Sequence, residues 1–523
     1  MIEQILLRRG EYHDSVTLLR ITQAVAGTPG VTAAQVAMAT ELNIELTRGL
    51  GFEIPDAAPT DLLIAVRGAD EDAVRAGLAA VDVAIVAART PTSTGGDDLA
   101  PPRTVRTAAA AAPDAALVLL SVPGSAVLGE ALDALDAGRH VMVFSDNVPI
   151  EHEVLLKQRA ADAGLLVMGP DCGTAVVSGV GLGFANVLTA SREPDSGSPK
   201  VGIVAASGTG AQQLSCLLDE AGVGVSHVLG VGGRDLSAPV GGRSTLRALA
   251  MLDDDPDTGH ILVLSKPPDP TVAQRIRAAA SGARTPVTTV LLGPGQPDLT
   301  TAAETVLSAL EVPIPDWPSW GSERAVPDGT SGALRGLYAG GTLADEVMLV
   351  AERIVGDLRS NIPLRADLAL PESVHARPQL AGAGHAVVDL GDDAFTRGRP
   401  HPMIDPSLRL DLLAAQAADP EVRVLLLDVV LGHGAEADPA ARLAPAIQRA
   451  LRTAGRPLSV VIALIGTRGD PQHRDRQAAD LTAAGAAVFA SNAAAARAAA
   501  SVALGRAAES TPGERPGTQG EVR

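Results

Sequence analysis

The sequence predicts an α/β protein: doubly wound, parallel-sheet domains preceded by a small α+β domain of ferredoxin-like type. Three observations predict it. Runs apolar on both faces, such as 115–122 (AALVLLSV) and 200–206 (KVGIVAA), alternate with amphipathic helical stretches, as buried parallel strands covered by helices require. Glycine (54) and proline (37) punctuate Ala-, Val- and Leu-rich segments, the mark of many short strand–helix turns. Aromatic residues make up only 2%, which disfavours an immunoglobulin-like sandwich and base-stacking platforms.

Residues 2–8 (IEQILLR) read as a strand, 13–26 as a helix, and 31–39 and 61–67 as further strands. A helix over 70–79 and a strand over 81–87 (VDVAIVA) complete a unit spanning residues 1–88. Residues 88–104, polar and rich in Gly and Pro, read as a linker. A domain over 89–194 follows, with strands at 115–122, 140–145 and 165–168 and helices at 126–138 and 151–164. Strand 200–206 opens another domain over 199–312, and 313–333 is a Pro/Gly-rich linker holding both tryptophans. The last block, 334–505, has strands at 334–338, 385–390, 422–430 and 458–465, before a tail over 506–523 of disordered composition.

The 523 residues are enough for several cores, and the formal net charge is −19. Such a polyanion repels nucleic acid and anionic membranes, so neither is an expected partner. Two cysteines, Cys172 and Cys216, build no disulfide framework, and no metal site is expected. Residues 1–10 lack a signal-peptide core and no apolar run is long enough to cross a bilayer, so a cytoplasmic location is expected.

The sharpest chemical feature is the run from strand 200–206 through Ser207-Gly208-Thr209-Gly210 into a helix. Free amides and the positive dipole end favour an anion there, small side chains let it approach, and the two hydroxyls add bonds. A plain N-cap has the same appearance. A second element of this form is Gly432-His433-Gly434 after an apolar strand, with a helix near Asp438-Pro439. Two such ends could face one phosphate from opposite sides. Gly340-Gly341-Thr342 is a third strand–glycine–helix turn, and alone a weak signal. Arg399, His401 and Asp405 lie on a loop stiffened by three prolines (GRPHPMIDP), which suits carboxylate binding and proton transfer. Arg234 and Lys266 follow strands of the 199–312 block, where open parallel sheets gather ligands, although both also read as ordinary loop residues. Cys172 reads as a packing residue.

Several stretches together resemble succinyl-CoA synthetase. MGPDCGTAV, KVGIVAASGTG and GVGGRDLS resemble its α subunit, while VVDLGDD, AADPEVRVLLLDVVLGHGA and VVIALIGTRGDPQ resemble the ligase domain of its β subunit. The resemblance implies Rossmann-like and flavodoxin-like sheets: a CoA-binding-like domain at 89–194, an α-like domain at 199–312 and a β-like ligase domain at 334–505. It also matches the two phosphate-cradling helix starts to Ser207-Gly208-Thr209 and Gly432-His433-Gly434. The ordered series MVFSDNV, GPDCGT, FANV, ASGTG, GGRDLS, SKPP, GLYAGGTLA, GRPHPMIDP resembles the FdrA family over nearly the whole chain. That family is often labelled acyl-CoA synthetase and is associated with oxamate carbamoyltransferase of allantoin catabolism, one component of a multi-subunit enzyme.

Three departures bear on function, the first being that the Gly-rich turn that takes CoA in succinyl-CoA synthetase is replaced by the small amino-terminal domain and the 88–104 linker. No histidine occurs between His260 and His375, so the loop that relays phosphate in succinyl-CoA synthetase has no counterpart. The nucleotide-binding half of that enzyme's β subunit is also missing. The resemblance therefore implies first a subunit of oxamate carbamoyltransferase, converting oxalurate and phosphate to oxamate and carbamoyl phosphate with other subunits encoded nearby. An acyl-CoA ligase subunit that binds CoA, or a non-catalytic phosphate- or CoA-sensing scaffold, are the alternatives. Under the first reading Ser207, Gly208, Thr209, Gly210, Gly432 and Gly434 bind phosphate or carbamoyl phosphate. His401, Arg399 and His433 act in catalysis, and Lys266, Arg234 and Asp405 bind substrate.

Overall fold

The computed structural model describes residues 2–89, 102–192, 200–396 and 401–506, apart from positions 10, 12, 14, 59, 372, 377–379 and 381. Among these residues the strands form four sheets. The first is antiparallel: β1 (Ile2–Arg8), β2 (Val31–Met38) and β3 (Leu62–Gly68) in the order β1-β3-β2. Helices Ser15–Ala26 and Glu71–Arg89 close its core through Leu18, Ile21, Val25, Val81 and Ile85. The strand expected over 81–87 is therefore helix. Val81 and Ile85, four residues apart, are buried, whereas Val83 (69% exposed) and Val86 (61%) face outward. That is a helical period. A further helix, Glu41–Gly49, was not expected; the Thr40 hydroxyl caps it by accepting from Asn43 N at 3.4 Å.

The second sheet is parallel, with β4 (Leu117–Leu120), β5 (His140–Val143) and β6 (Val167–Met168) in sequence order. The third holds β7 (Thr174–Val177), β8 (Val180–Gly183), β9 (Lys200–Ala206), β10 (Val225–Gly230), β11 (Thr258–Ser265) and β12 (Val287–Leu291). Its order is β12-β11-β9-β10-β7-β8, with β9–β12 parallel and the β7–β8 hairpin antiparallel on one edge. A boundary near 194 therefore does not separate the sheets, because residues 174–183, expected in the 89–194 domain, belong to the third sheet.

The fourth sheet holds β13 (Ser319–Trp320), β14 (Ala333–Tyr338), β15 (Leu358–Ser360), β16 (His385–Asp389), β17 (Val422–Val430), β18 (Ser459–Ile465) and β19 (Ala487–Phe489). Its order is β13-β19-β18-β17-β14-β16-β15, and all pairs but β13–β19 are parallel. The expected linker 313–333 thus supplies an edge strand, and Trp317 Nε1 donates to Glu304 at 2.9 Å. The tail beyond 506 and the 90–101 part of the first linker lie outside the described residues. Among the described residues no helix is long and apolar enough to cross a membrane.

The third and fourth sheets share one apolar core running from Val176 to Val502. Helices Gly208–Glu220, Leu299–Ala309, Gly341–Val355 and Asn492–Leu504 make it. A polar pin crosses it. Asn492 Nδ2 donates to Leu343 O (3.0 Å) and to Glu346 Oε2 (2.7 Å), and Oδ1 accepts from the Tyr338 hydroxyl (2.9 Å). Asn492 N donates to Gln213 Oε1 at 3.0 Å. Burial, with Asp298 adding to it, holds the Glu346 carboxyl well above the usual range.

A buried ion network ties the second sheet to the third. Lys157 Nζ donates to Glu153 Oε1, Asp235 Oδ1 and Val231 O, each at 2.8 Å, with none of its side chain exposed. Removing one partner of a buried pair strands the others without solvent, at a cost of about 3–5 kcal/mol. Lys157→Met should therefore lower the free energy of unfolding by that order, measured by urea denaturation followed by circular dichroism, whereas Arg75→Met, which removes an exposed pair with Asp72, should leave it unchanged.

Candidate anion site at two facing helix starts

β9 delivers Ser207 in an extended conformation, and its hydroxyl accepts from Gly210 N at 3.0 Å. The hydroxyl thus caps its own helix, while the Gly208 and Thr209 amides have no intrahelical acceptor. β14 likewise ends in Ala339 and Gly340, and Gly340 begins helix Gly341–Val355 with no side-chain cap. These two starts meet. A methyl group added at Gly340 would lie 2.7 Å from Thr209 Oγ1, and one at Gly210 would lie 3.0 Å from Thr342 Cγ2. Close approach here requires glycine.

The Ser207 start packs directly against the Gly340 turn, and Gln212 of the same helix donates through Nε2 to Leu431 O at 3.4 Å, the residue before the expected Gly432-His433-Gly434 turn. That turn packs on residues 184–186: His433 N donates to Ala185 O at 2.8 Å, and a methyl at Gly434 would meet the Phe184 ring at 3.0 Å. The helix after it starts only at Pro439, where the Asp438 carboxylate caps Ala441 N and already answers the dipole.

Charged groups converge on the Gly341 first turn. A methyl at Gly341 would lie 2.6 Å from Asp389 Oδ2 and 2.8 Å from Lys266 Nζ. A methyl at Gly391 would lie 2.8 Å from His401 Nε2 and 3.2 Å from Asp389 Oδ1. Asp345 shares the helix face of Gly341, one turn on. Burial raises the Asp389 carboxyl to about 7 against the opposing Lys266 ammonium, and it raises Asp345 to about 6 against the same cation. Desolvation, aided by the Arg409 guanidinium, lowers His401 to about 4. His401 Nδ1 accepts from Met403 N at 3.3 Å, so the neutral ring carries its proton on Nε2, beside Asp389. At neutral pH His401 is a hydrogen-bond donor.

Beneath this cluster lies Asp428, in the middle of the apolar strand β17. Its Oδ1 accepts from Ala339 N (2.8 Å) and Arg409 Nη1 (3.0 Å), and its Oδ2 accepts from Gly340 N (2.8 Å). One buried carboxylate thus fixes the turn that launches the helix. Sequence reasoning did not single out Asp428, Arg409, Asp389 or Asp345. Their signal was a charge inside an apolar strand or on the apolar face of a helix, where Arg409 is grouped with Leu412 and Leu413.

The remaining expected residues are placed elsewhere. Arg234 is held in the Lys157 network, donating to Glu153 Oε2 (3.0 Å) and Val148 O (2.8 Å). Asp405 accepts from Ser407 N and Oγ and pairs with Arg442 at 3.2 Å, so it shapes a turn. His433 is exposed and lines a cleft of about 290 Å³ with Val176, Asn186 and Ser191. Arg399 lies outside the described residues. Cys172 is buried, its thiol pushed up to about 12 by desolvation, as befits a packing residue.

Residues 337–502, which carry the fourth sheet from the end of β14 to the Asn492 helix, match the CoA-ligase family. The chain is 36% identical over 512 residues to the uncharacterized protein YahF of Escherichia coli (strain K12), covering 93% of this chain and 95% of YahF. It belongs to the YahF family. It is also 30% identical over 155 residues to the α subunit 2 of the ADP-forming succinate–CoA ligase of Archaeoglobus fulgidus, covering 29% of this chain and 50% of that subunit. The chain thus spans about half the length of that relative. An acetyl-coenzyme A synthetase structure from Ca. Korarchaeum cryptofilum is 18% identical over 80% of this chain and 87% of its own, with a TM-score of 0.30.

Residues 1–101 match the family described as AllF, heavy metal-associated domain. The side chains do not fit a soft metal. Both cysteines of the chain, Cys172 and Cys216, lie outside this segment, and among the described residues no three His, Cys, Asp or Glu side chains cluster as ligands.

Native Asp389 and Asp345 keep their protons up to about pH 7 and 6, whereas an unfolded Asp releases its proton near about 3.9. The native state therefore binds more protons between these limits, and stability falls as pH rises through the window. Asp389→Asn should raise the melting temperature at pH 8 and leave it unchanged at pH 4. Equal shifts at both pH values in calorimetric scans would show that Asp389 does not titrate in this way.

Proposed function

We propose that the chain is an acid–CoA ligase-like catalytic subunit that handles a phosphate-activated acyl group where the Gly208 and Gly341 helices meet. The observation that carries this reading is the facing of two helix starts beside Lys266. Free amides and two positive dipole ends suit the oxygens of a phosphate, and Lys266 adds a full charge. His401 Nε2–H suits a carbonyl oxygen that gains charge as the acyl carbon is attacked. Asp389, poised near neutrality, suits transfer of the proton that the attacking thiol or amine must lose. In the ligase direction an acyl phosphate and CoA give a thioester and phosphate, with a nucleotide-binding partner subunit supplying the acyl phosphate. The match of residues 337–502 to the CoA-ligase family supports this reading.

A second reading uses the same machinery. Carbamoyl phosphate is itself an acyl phosphate, and transfer between oxalurate and phosphate needs no phosphohistidine. The absence of histidine from residues 261–374 favours it. Under that reading the partners are other carbamoyltransferase subunits.

Losing a charged hydrogen bond of about 1.5–3 kcal/mol weakens binding roughly 10- to 100-fold. Lys266→Ala should weaken phosphate binding by that factor in calorimetry while leaving the fold intact. Unchanged phosphate affinity would remove the site. Assay of the chain with the products of neighbouring genes separates the readings: thioester from acyl phosphate and CoA supports the ligase, and carbamoyl phosphate from oxalurate and phosphate supports the transferase.

A further inference from the structure

Arg409 is 4% exposed, and only part of its guanidinium is used. Nη1 donates to Asp428 O at 2.7 Å and to Asp428 Oδ1 at 3.0 Å. Nε is buried without any acceptor, and among the described residues none accepts from Nη2. Nε–H and the adjacent Nη2–H form the side-on fork that grips a planar carboxylate through two parallel bonds. Arg139, Arg247 and Arg456 also carry a buried donor without an acceptor, but of these four arginines Arg409 alone is buried as a whole residue, where stranded charged donors are most disfavoured. Glu436, whose carboxyl responds to the charge of Arg409, is held by Arg442 at 3.6 Å.

The location narrows the ligand. Asp428 Oδ1 is shared between Arg409 and Ala339 N, and Oδ2 holds Gly340 N. The fork is thus anchored to the same turn that starts the Gly341 helix, at the carboxyl ends of β14 and β17, where open parallel sheets gather ligands. On its other flank it acts electrostatically on His401.

We propose that the Nε/Nη2 edge of Arg409 binds a substrate carboxylate next to the phosphate-handling junction, so that the enzyme takes a short acid bearing a carboxylate besides the acyl or amide group that reacts. That this carboxylate belongs to the substrate rests on the proposed function; the anion-binding fork itself does not. The sequence offers Arg399, His401 and Lys266 for carboxylate binding or proton transfer, and Arg409 is a residue that only the packing of helix Ser407–Ala418 against β17 places there.

The test uses the full chain, with succinate and oxamate as probes and succinamide and oxamide as uncharged counterparts. Calorimetry should show one or both acids binding at least tenfold more tightly than their amides. Arg409→Lys keeps a cation for Asp428 but removes the fork. It should lose at least tenfold in acid binding while phosphate binding stays unchanged. Acid binding by Arg409→Lys equal to the native chain, amides binding as well as acids, or binding of neither acid would each overturn the proposal. Should Arg409→Lys fail to fold, the native chain labelled with ¹⁵N-arginine serves instead. One Nε–H resonance should shift on saturation with the acid, and an unmoved spectrum overturns the proposal. Carboxylate binding without phosphate binding would leave this fork standing and remove the proposed function. Phosphate binding alone would do the reverse.

Discussion

A single buried amide sets the geometry on which the site depends. Asn492 bonds to the Gly208 helix through Gln213 and to the Gly341 helix through Leu343 and Glu346. Each of these groups lies in an apolar core, where an unmatched polar atom is strongly unfavourable. Sliding either helix would break its own bonds to Asn492. The register of the two helices is thereby fixed, and so is the distance between their starts.

With that register set, the glycines follow. A side chain at Gly340 would press on Thr209, and one at Gly341 would displace the Asp389 carboxylate and the Lys266 ammonium. The resulting first turn has no cap of its own. Gly341, its first residue, lies beside a carboxyl that desolvation keeps near its protonation midpoint and a lysine that balances it. The arrangement trades native stability for a polar cluster whose charge changes near neutrality, a compromise common where groups are placed for chemistry.

Much of this was legible in the sequence, and the misses share a cause. Strand–helix rhythm located β9, β14, β16, β17 and β18 because buried parallel strands are apolar on both faces. The Ser207 start was visible for the same local reason. Which helix start it faces was not, since that depends on sheet order and on how one unit docks on the other. Gly340 and Gly432 carry the same local pattern, and only long-range packing distinguishes them. Residues 81–87 were misread because seven residues containing several valines fit a strand, until their burial reveals a four-residue period. Arg409 and Asp428 escaped because a charge amid leucines identifies its role only once its partner, distant in sequence, is known.

The segment joining the two docked units, residues 310–332, does more than connect them, because it lays β13 along β19 before β14 begins. Two surfaces that must meet to build a site are thus carried by one polypeptide at a fixed and short separation. Their encounter is governed by an effective concentration set by the tether and not by the abundance of separate subunits. The helix junction should accordingly survive dilution, leaving association to regulate only whatever further chains bring to it.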